Sequence, residues 1–234
     1  MKKNIFGQYL IIKRAIIRLI GAITHRTFNN KRFNIQGTTL LSEIPNNNVL
    51  FISNHQTYFY DVIAMLHVFN ASVNGRRDSL KNILYLLKPK TNIYFIAALE
   101  TMKSSLIPKI LSYAGSILIK RTWREAGKDI NRAIRGEDFD NILKALNDGW
   151  VITFPRGTTD SSKPVRSGTA YIIKTTNPIV IPVKIDGFGE VFKKNSLKIK
   201  NKNNPFSIKF GDPLKFYDNE SIESITNQIE KIID

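Results

Sequence analysis

Val49-Leu50-Phe51-Ile52-Ser53-Asn54-His55-Gln56-Thr57-Tyr58-Phe59-Tyr60-Asp61 is the stretch on which the reading of the fold turns. Its first four residues are a short apolar run of the kind that makes a buried strand, and the chain turns polar at Ser53-Asn54. His55 therefore falls just past the carboxyl end of a strand, where open α/β sheets place their ligands. Asp61 opens the next apolar-periodic segment (Val62, Ile63, Met65, Leu66, Phe69), whose spacing predicts a helix. A His on a strand-to-helix turn with a carboxylate nearby suits a general base. An imidazole gains and loses a proton near neutral pH, and the acid can set its tautomer and stabilise its charged form. A lone His beside a lone Asp is also a common pairing, so the assignment depends on the rest of the chain.

Working outward, Phe33 to Ile35 is expected to be a strand, separated from Val49 by a turn around Pro45-Asn46-Asn47-Asn48. Ile93 to Ala97 reads as a strand and Leu106 to Tyr113 as a short helix ending at Gly115. Gly115 to Arg121 is an apolar strand that delivers Lys120 and Arg121 at its exit, a cationic pair suited to a phosphate, although solvated strand-end charge is the commoner case. Residues 126–148 predict one or two surface helices closed by Gly149. Val151 to Phe154 runs into Pro155-Arg156-Gly157-Thr158-Thr159-Asp160, a Gly turn offering N–H groups and hydroxyls to an anion. It matches neither a P-loop nor a dinucleotide fingerprint. Arg166-Ser167-Gly168 opens a helix (Ala170 to Lys174) whose amino terminus favours negative charge. Ile179 to Ile185 and Phe206 to Phe210 are the remaining strands, and Ile222, Ile225, Ile229 and Ile232 mark an amphipathic closing helix.

The 234 residues suffice for one full core, and 42% apolar with 23% charged residues describe a globular chain. No Cys is present, which excludes disulfides, thiolate metal sites and a Cys nucleophile. Thirty-five Lys and Arg against nineteen Asp and Glu leave a net charge of +16. That surplus suits a polyanionic partner such as nucleic acid, an anionic membrane leaflet or a phosphorylated substrate. A generally basic surface without a special partner is the plain alternative.

Residues 4–24 are expected to form a basic amphipathic helix. Lys3, Gly7, Arg14, Arg18 and Gly21 share a narrow stripe, and Ile11, Ile12, Ala15, Ile16, Leu19, Ile20 and Ile23 spread over the opposite side. Lys13 lies at the edge of that apolar side, where its stem can bury while its amine reaches water. Lys13, Arg14 and Arg18 interrupt the run too often for a membrane span, and no cleavage site follows for a secretory signal. The helix either lies in a membrane interface or packs on the protein's own core. The polar residues after Thr27 mark the junction with the main domain, giving an amino-terminal element over 1–32 and a principal domain over 33–234.

Four blocks in this order resemble the glycerolipid acyltransferase family, whose best-known members are 1-acyl-glycerol-3-phosphate acyltransferases. Asn54-His55 with Asp61 is similar to the family's Asn-His…Asp block, Gly115 to Arg121 to its Gly-x-Ile-x-Ile-x-Arg, Phe154 to Thr159 to its Phe-Pro-Glu-Gly-Thr-Arg, and Val180-Ile181-Pro182-Val183 to its Ile-Pro-Val run. The blocks span about residues 49–187. Two departures stand out. Five residues rather than four separate His55 from Asp61, so the carboxylate stays in reach only if the extra residue is absorbed before the helix begins. Arg156 stands where the family has Glu and Thr159 where it has Arg, which implies a changed polar-head site.

The resemblance implies an α/β fold: a mixed, largely parallel central sheet of about seven strands flanked by helices, with the amino-terminal helix seated on a membrane. It implies transfer of a fatty acyl group from acyl carrier protein or acyl-coenzyme A to the hydroxyl of a lysophospholipid, 1-acyl-glycerol-3-phosphate first among them. His55 would be the base and Asp61 its orienting acid. Arg121 and Arg166, with Lys120 assisting, would hold the acceptor's phosphate, with Arg156 in the altered head-group block. Backbone N–H groups at Gly157 and Thr158 would serve either the oxyanion or the phosphate. No cofactor or metal is implied, and no nucleic acid. The implied location is peripheral or monotopic on the cytoplasmic face of the bacterial inner membrane. Another lysolipid, such as an amino-acid lipid, and a catalytically inactive lipid- or polyanion-binding protein are the competing readings.

Overall fold

The computed structural model describes residues 1–103, 106–120, 124–125, 128–129 and 136–234. Seven strands form one sheet: β1 (Phe33–Gln36), β2 (Val49–Ser53), β3 (Ile93–Ala98), β4 (Ser116–Ile119), β7 (Trp150–Thr153), β8 (Ile179–Asp186) and β9 (Phe206–Phe210). Their spatial order is β1-β9-β8-β2-β7-β3-β4, and β5 (Arg124–Glu125) and β6 (Lys128–Asp129) pair apart from it. Every neighbouring pair in the large sheet is parallel except β8 with β9. The α/β class and the mixed, largely parallel sheet are as the resemblance implied.

Helices cover both faces, which is why the central strands are apolar throughout rather than alternating. All five residues of β2 are buried. Val49 and Phe51 face one core with α1 (Leu10–Phe28) and α2 (Tyr60–Val73), while Leu50 and Ile52 face the other. That second core is closed by α5 (Gly136–Asp148), α6 (Ser167–Thr176) and α8 (Ile222–Ile233). Short helices α3 (Leu99–Lys103), α4 (Leu106–Ser112) and α7 (Phe188–Val191) join strand ends. The segment expected to be helical over 126–148 is helical only from Gly136 among the described residues.

The amino-terminal helix begins later and ends later than its hydropathy suggested. Residues 4–8 form a tight turn instead, because the Asn4 side chain accepts from the N–H groups of Phe6 and Gln8 and Gly7 takes φ +74°. The helix runs on to Phe28, whose ring packs against Phe33, Tyr60 and Phe206. Its inward face is Lys13, Ile17, Gly21, Thr24 and Phe28. Gly21 is therefore not part of a polar stripe: a Cβ there would lie 2.6 Å from Leu86 Cδ1. Ile11, Ile12, Leu19 and Ile23 point outward instead, Ile23 with 71% exposure.

Lys13 departs furthest from expectation. Its amine does not reach water; the residue is 1% exposed. Nζ donates to Ile93 O at 3.0 Å and sits 4.3 Å from the centre of the Tyr94 ring. Gly115, at φ +130°, leaves the room it occupies. Burial pulls the amine's pKa down from 10.5 to about 7, only partly countered by the charge of Asp148. The unfolded chain then holds the extra proton between pH 7 and 10.5, so stability rises with pH across that window. At most one proton is involved, a slope of up to about 1.4 kcal/mol per pH unit. The urea midpoint should climb from pH 7 toward 10, and Lys13→Met should remove Lys13's share of the climb. An unchanged slope in that variant would contradict the buried placement.

Candidate active site

The six residues between β2 and α2 form a turn organised by one carboxylate. Asp61 is wholly buried in the first turn of α2. Oδ2 accepts from the N–H of Gln56 at 2.7 Å and faces His55 Nδ1 at 2.8 Å. Oδ1 accepts from the Thr57 hydroxyl at 2.5 Å, and the Thr57 N–H lies 3.1 Å from both oxygens. The extra residue is therefore absorbed before the helix: the loop curls around the acid and still brings the imidazole to it. A carboxylate with these donors can only accept, so the proton on Nδ1 points at Asp61 and Nε2 carries the free lone pair. Among the described residues nothing is bonded to Nε2.

The ring is held on its flat side as well. Phe154, the residue after β7, stacks on His55 with centroids 4.0 Å apart and planes 21° from parallel. Asn54 anchors the turn from below, exchanging hydrogen bonds with both the N–H and the carbonyl of Ile185 in β8. The His side chain keeps 15% exposure and borders a cavity of about 750 Å³.

That cavity has two characters. Val62, Ile63 and Leu66 of α2, Phe95 of β3, Met102 of α3 and Leu111 of α4 line an apolar portion. Lys120, Gly157, Thr158, Thr159, Arg166 and the first residues of α6 line a polar one. Arg166 is the cap of α6, so the first-turn N–H groups of that helix border the same space, a position that favours an anion. The Gly157 N–H is already given to Phe154 O at 2.8 Å and the Thr158 hydroxyl accepts from Asp160 N. Among the described residues the N–H groups of Thr158 and Thr159, which line the cavity, are given to no acceptor.

Of the residues singled out by sequence, His55, Asp61, Lys120, Gly157, Thr158 and Arg166 thus gather around one space, with Asp61 behind the His. Arg121 lies outside the described residues. Arg156 does not line the cavity. It is buried and turned the other way, with Nε donating to Lys163 O at 2.7 Å and Nη2 2.6 Å from Asp234 Oδ1 in the carboxyl-terminal residue. Glu230 stands 3.6 Å away on the same side. Arg156→Met should therefore cost stability, about 1–3 kcal/mol for lost charge-assisted bonds, and leave substrate KM values unchanged. A raised KM without a fall in stability would return Arg156 to the site.

Sequence reasoning missed Phe154 as a partner of His55 and Thr57 as a partner of Asp61. It also missed the apolar lining. Phe154 had a signal, since it directly follows a strand parallel to β2; the apolar lining had none, because its residues are indistinguishable by type from core.

A model of the family described as "Acyltransferase" matches residues 32–186. Among solved structures, the chain is similar to the 1-acyl-sn-glycerophosphate acyltransferase PlsC from Thermotoga maritima. The TM-score is 0.55 at 19% identity, over 94% of this chain and 76% of that one. No curated protein sequence matches the chain.

Proposed function

The chain belongs to the acyltransferase family, and on that footing we propose that it moves a fatty acyl group from a thioester to the free hydroxyl of a lysophospholipid, 1-acyl-glycerol-3-phosphate in the first place. The observation that carries the proposal is the 2.8 Å contact between His55 Nδ1 and Asp61, at the edge of a cavity with one apolar portion and one polar portion that carries Lys120, Arg166 and Asp138. His55 Nε2 takes the proton from the acceptor hydroxyl as its oxygen attacks the thioester carbonyl. The tetrahedral intermediate collapses, the carbon–sulfur bond breaks, and the imidazolium returns the proton to the departing thiolate. Asp61 stabilises the imidazolium between those two transfers. No covalent intermediate on the protein is needed.

The apolar portion takes an acyl chain. Lys120, Arg166 and the amino terminus of α6 take the acceptor's phosphate, helped by the N–H groups of Thr158 and Thr159. Arg156, held by Asp234, has no part in it. The test is an acyl-transfer assay with a panel of lysolipids and with acyl carrier protein and coenzyme A as donor carriers. Phosphatidic acid formed from 1-acyl-glycerol-3-phosphate is the expected product. Transfer to no lysolipid from either donor would defeat the reading.

The same reading seats α1 on an anionic membrane surface as a peripheral or monotopic element. Among the described residues no helix is long and apolar enough to cross a membrane. Ile11, Ile12, Leu19 and Ile23 are exposed on α1 beside Arg14 and Arg18, the pairing of apolar and basic groups that lies in an interface. Leu19→Asp with Ile23→Asp should abolish most flotation with anionic vesicles while leaving the melting temperature unchanged, because neither side chain is packed. Undiminished flotation would count against this seating.

A further inference from the structure

From Val191 to Gly211 the chain has six lysines and no acidic residue. Five of them, Lys193, Lys194, Lys198, Lys200 and Lys202, lie in a loop after α7 that folds back on itself. A bridge between Phe192 and Ile199 closes it, and Lys193 N donates to Lys198 O at 2.9 Å. All five side chains are exposed. Among the described residues none of their amines makes a salt bridge or a hydrogen bond.

This loop is clasped to the turn that holds the candidate base. Tyr58 N donates to Lys194 O at 2.8 Å, and the Tyr60 hydroxyl donates to Leu197 O at 2.8 Å. The Tyr60 ring stacks on Phe192 with centroids 3.8 Å apart. Tyr58 itself borders the cavity beside His55. On the other side, Lys194 and Lys163 are near enough to Asp160 for their charges to help hold its carboxyl below the usual range, after the hydrogen bonds from Ser162. Asp160 follows directly on Thr158 and Thr159 of the cavity lining. None of the five lysines lines the cavity, and Lys194 joins the loop to the turn that does, through Tyr58.

We propose that the lysine-rich loop over residues 193–202 is the docking surface for an acidic carrier protein that presents the acyl thioester on a flexible arm. This rests on the acyl-transfer reading and deepens it by choosing the donor. A dispersed set of cations on an outward loop matches a broad acidic face, which steers encounter and sets register. A small phosphorylated donor would instead be gripped by converging groups at the rim. A lipid surface would want apolar anchors among the cations, and those sit on α1; between residues 193 and 202 Ile199 is the one exposed large apolar side chain.

The test compares the protein with a variant carrying Lys193→Glu, Lys198→Glu, Lys200→Glu and Lys202→Glu, with Lys88→Glu as a control at the opposite ends of the strands. Donors are a palmitoyl-charged bacterial acyl carrier protein and palmitoyl-coenzyme A. The loop variant should raise KM for the carrier-borne donor about 10-fold or more at low salt, keep kcat, and leave both constants for the coenzyme A donor within about 2-fold; the control should change neither. Equal losses with both donors, or an unchanged KM for the carrier protein, would overturn the proposal. So would lost binding to phosphatidylglycerol vesicles with carrier binding intact, which would make the loop a lipid contact. Binding of labelled carrier protein, read by anisotropy, is measured alongside. Should no donor support turnover, the acyl-transfer reading fails by itself and the anisotropy still decides the docking surface.

Discussion

His55→Ala should lower kcat by about 10²- to 10⁴-fold, the range that general-base assistance supplies, with the acceptor's KM little changed. The geometry makes the variant a clean one. His55 has no positive φ, and its side chain meets the Asp61 carboxylate and the Phe154 ring. With the imidazole gone, Asp61 keeps the Gln56 and Thr57 donors, so the turn and the melting temperature should survive. Unchanged KM with reduced kcat is the signature of a group acting in the transition state rather than in binding. Activity within about 10-fold of the parent would remove His55 from the role of base.

Asp61→Asn is the second large effect, and its size follows from which oxygen does what. Oδ2 serves both His55 Nδ1 and the Gln56 N–H, and a backbone N–H cannot reverse its role. Oδ1 serves the Thr57 hydroxyl, which can turn round and accept. The amide should therefore settle with its oxygen toward His55 and its NH₂ toward Thr57. That arrangement keeps the tautomer of the imidazole and removes only the negative charge. A charge at this range is worth up to about 4 kcal/mol at an effective dielectric of about 20, so kcat should fall about 10²- to 10³-fold with the fold intact. Asp61→Ala should be worse on both counts, because it strands the N–H groups of Gln56 and Thr57 as well. Steady-state kinetics with melting temperatures, and the nitrogen chemical shifts of His55, separate the two variants. Full activity in Asp61→Asn would mean that the acid is a structural clip only.

Much of this was legible in the chain. The strand from Val49 to Ser53 announced itself because a strand buried on both faces must be apolar at every position, and a short apolar run cut off by Ser-Asn-His can be little else. The same logic located β7 and β8. The block order placed His55, Lys120, Gly157 and Arg166 at strand exits or helix starts, and parallel strands carry such positions to one edge of a sheet. Periodicity failed at α1. Its inward face is a narrow line through Lys13 and Gly21, two residues that hydropathy counts as polar or neutral, while the more apolar flank faces out. A pattern of residue types records where greasy groups lie on a helix. It does not record which flank finds a partner.

What the sequence by itself determined is the seven strands of the large sheet, the helices α2, α4, α6 and α8, the family resemblance, and the acid–base pair as a candidate. Each of these is local: it depends on neighbours a few positions away, whose spacing is written in the chain. The tertiary structure alone decided that the extra residue leaves His55 and Asp61 in contact, that Arg156 faces Asp234 rather than the cavity, and that Lys13 ends on Ile93. Hydrogen bonds and ion pairs form or fail within a few tenths of an ångström. Where two side chains separated by 78 positions come to lie is set by how whole elements pack, not by anything either residue carries.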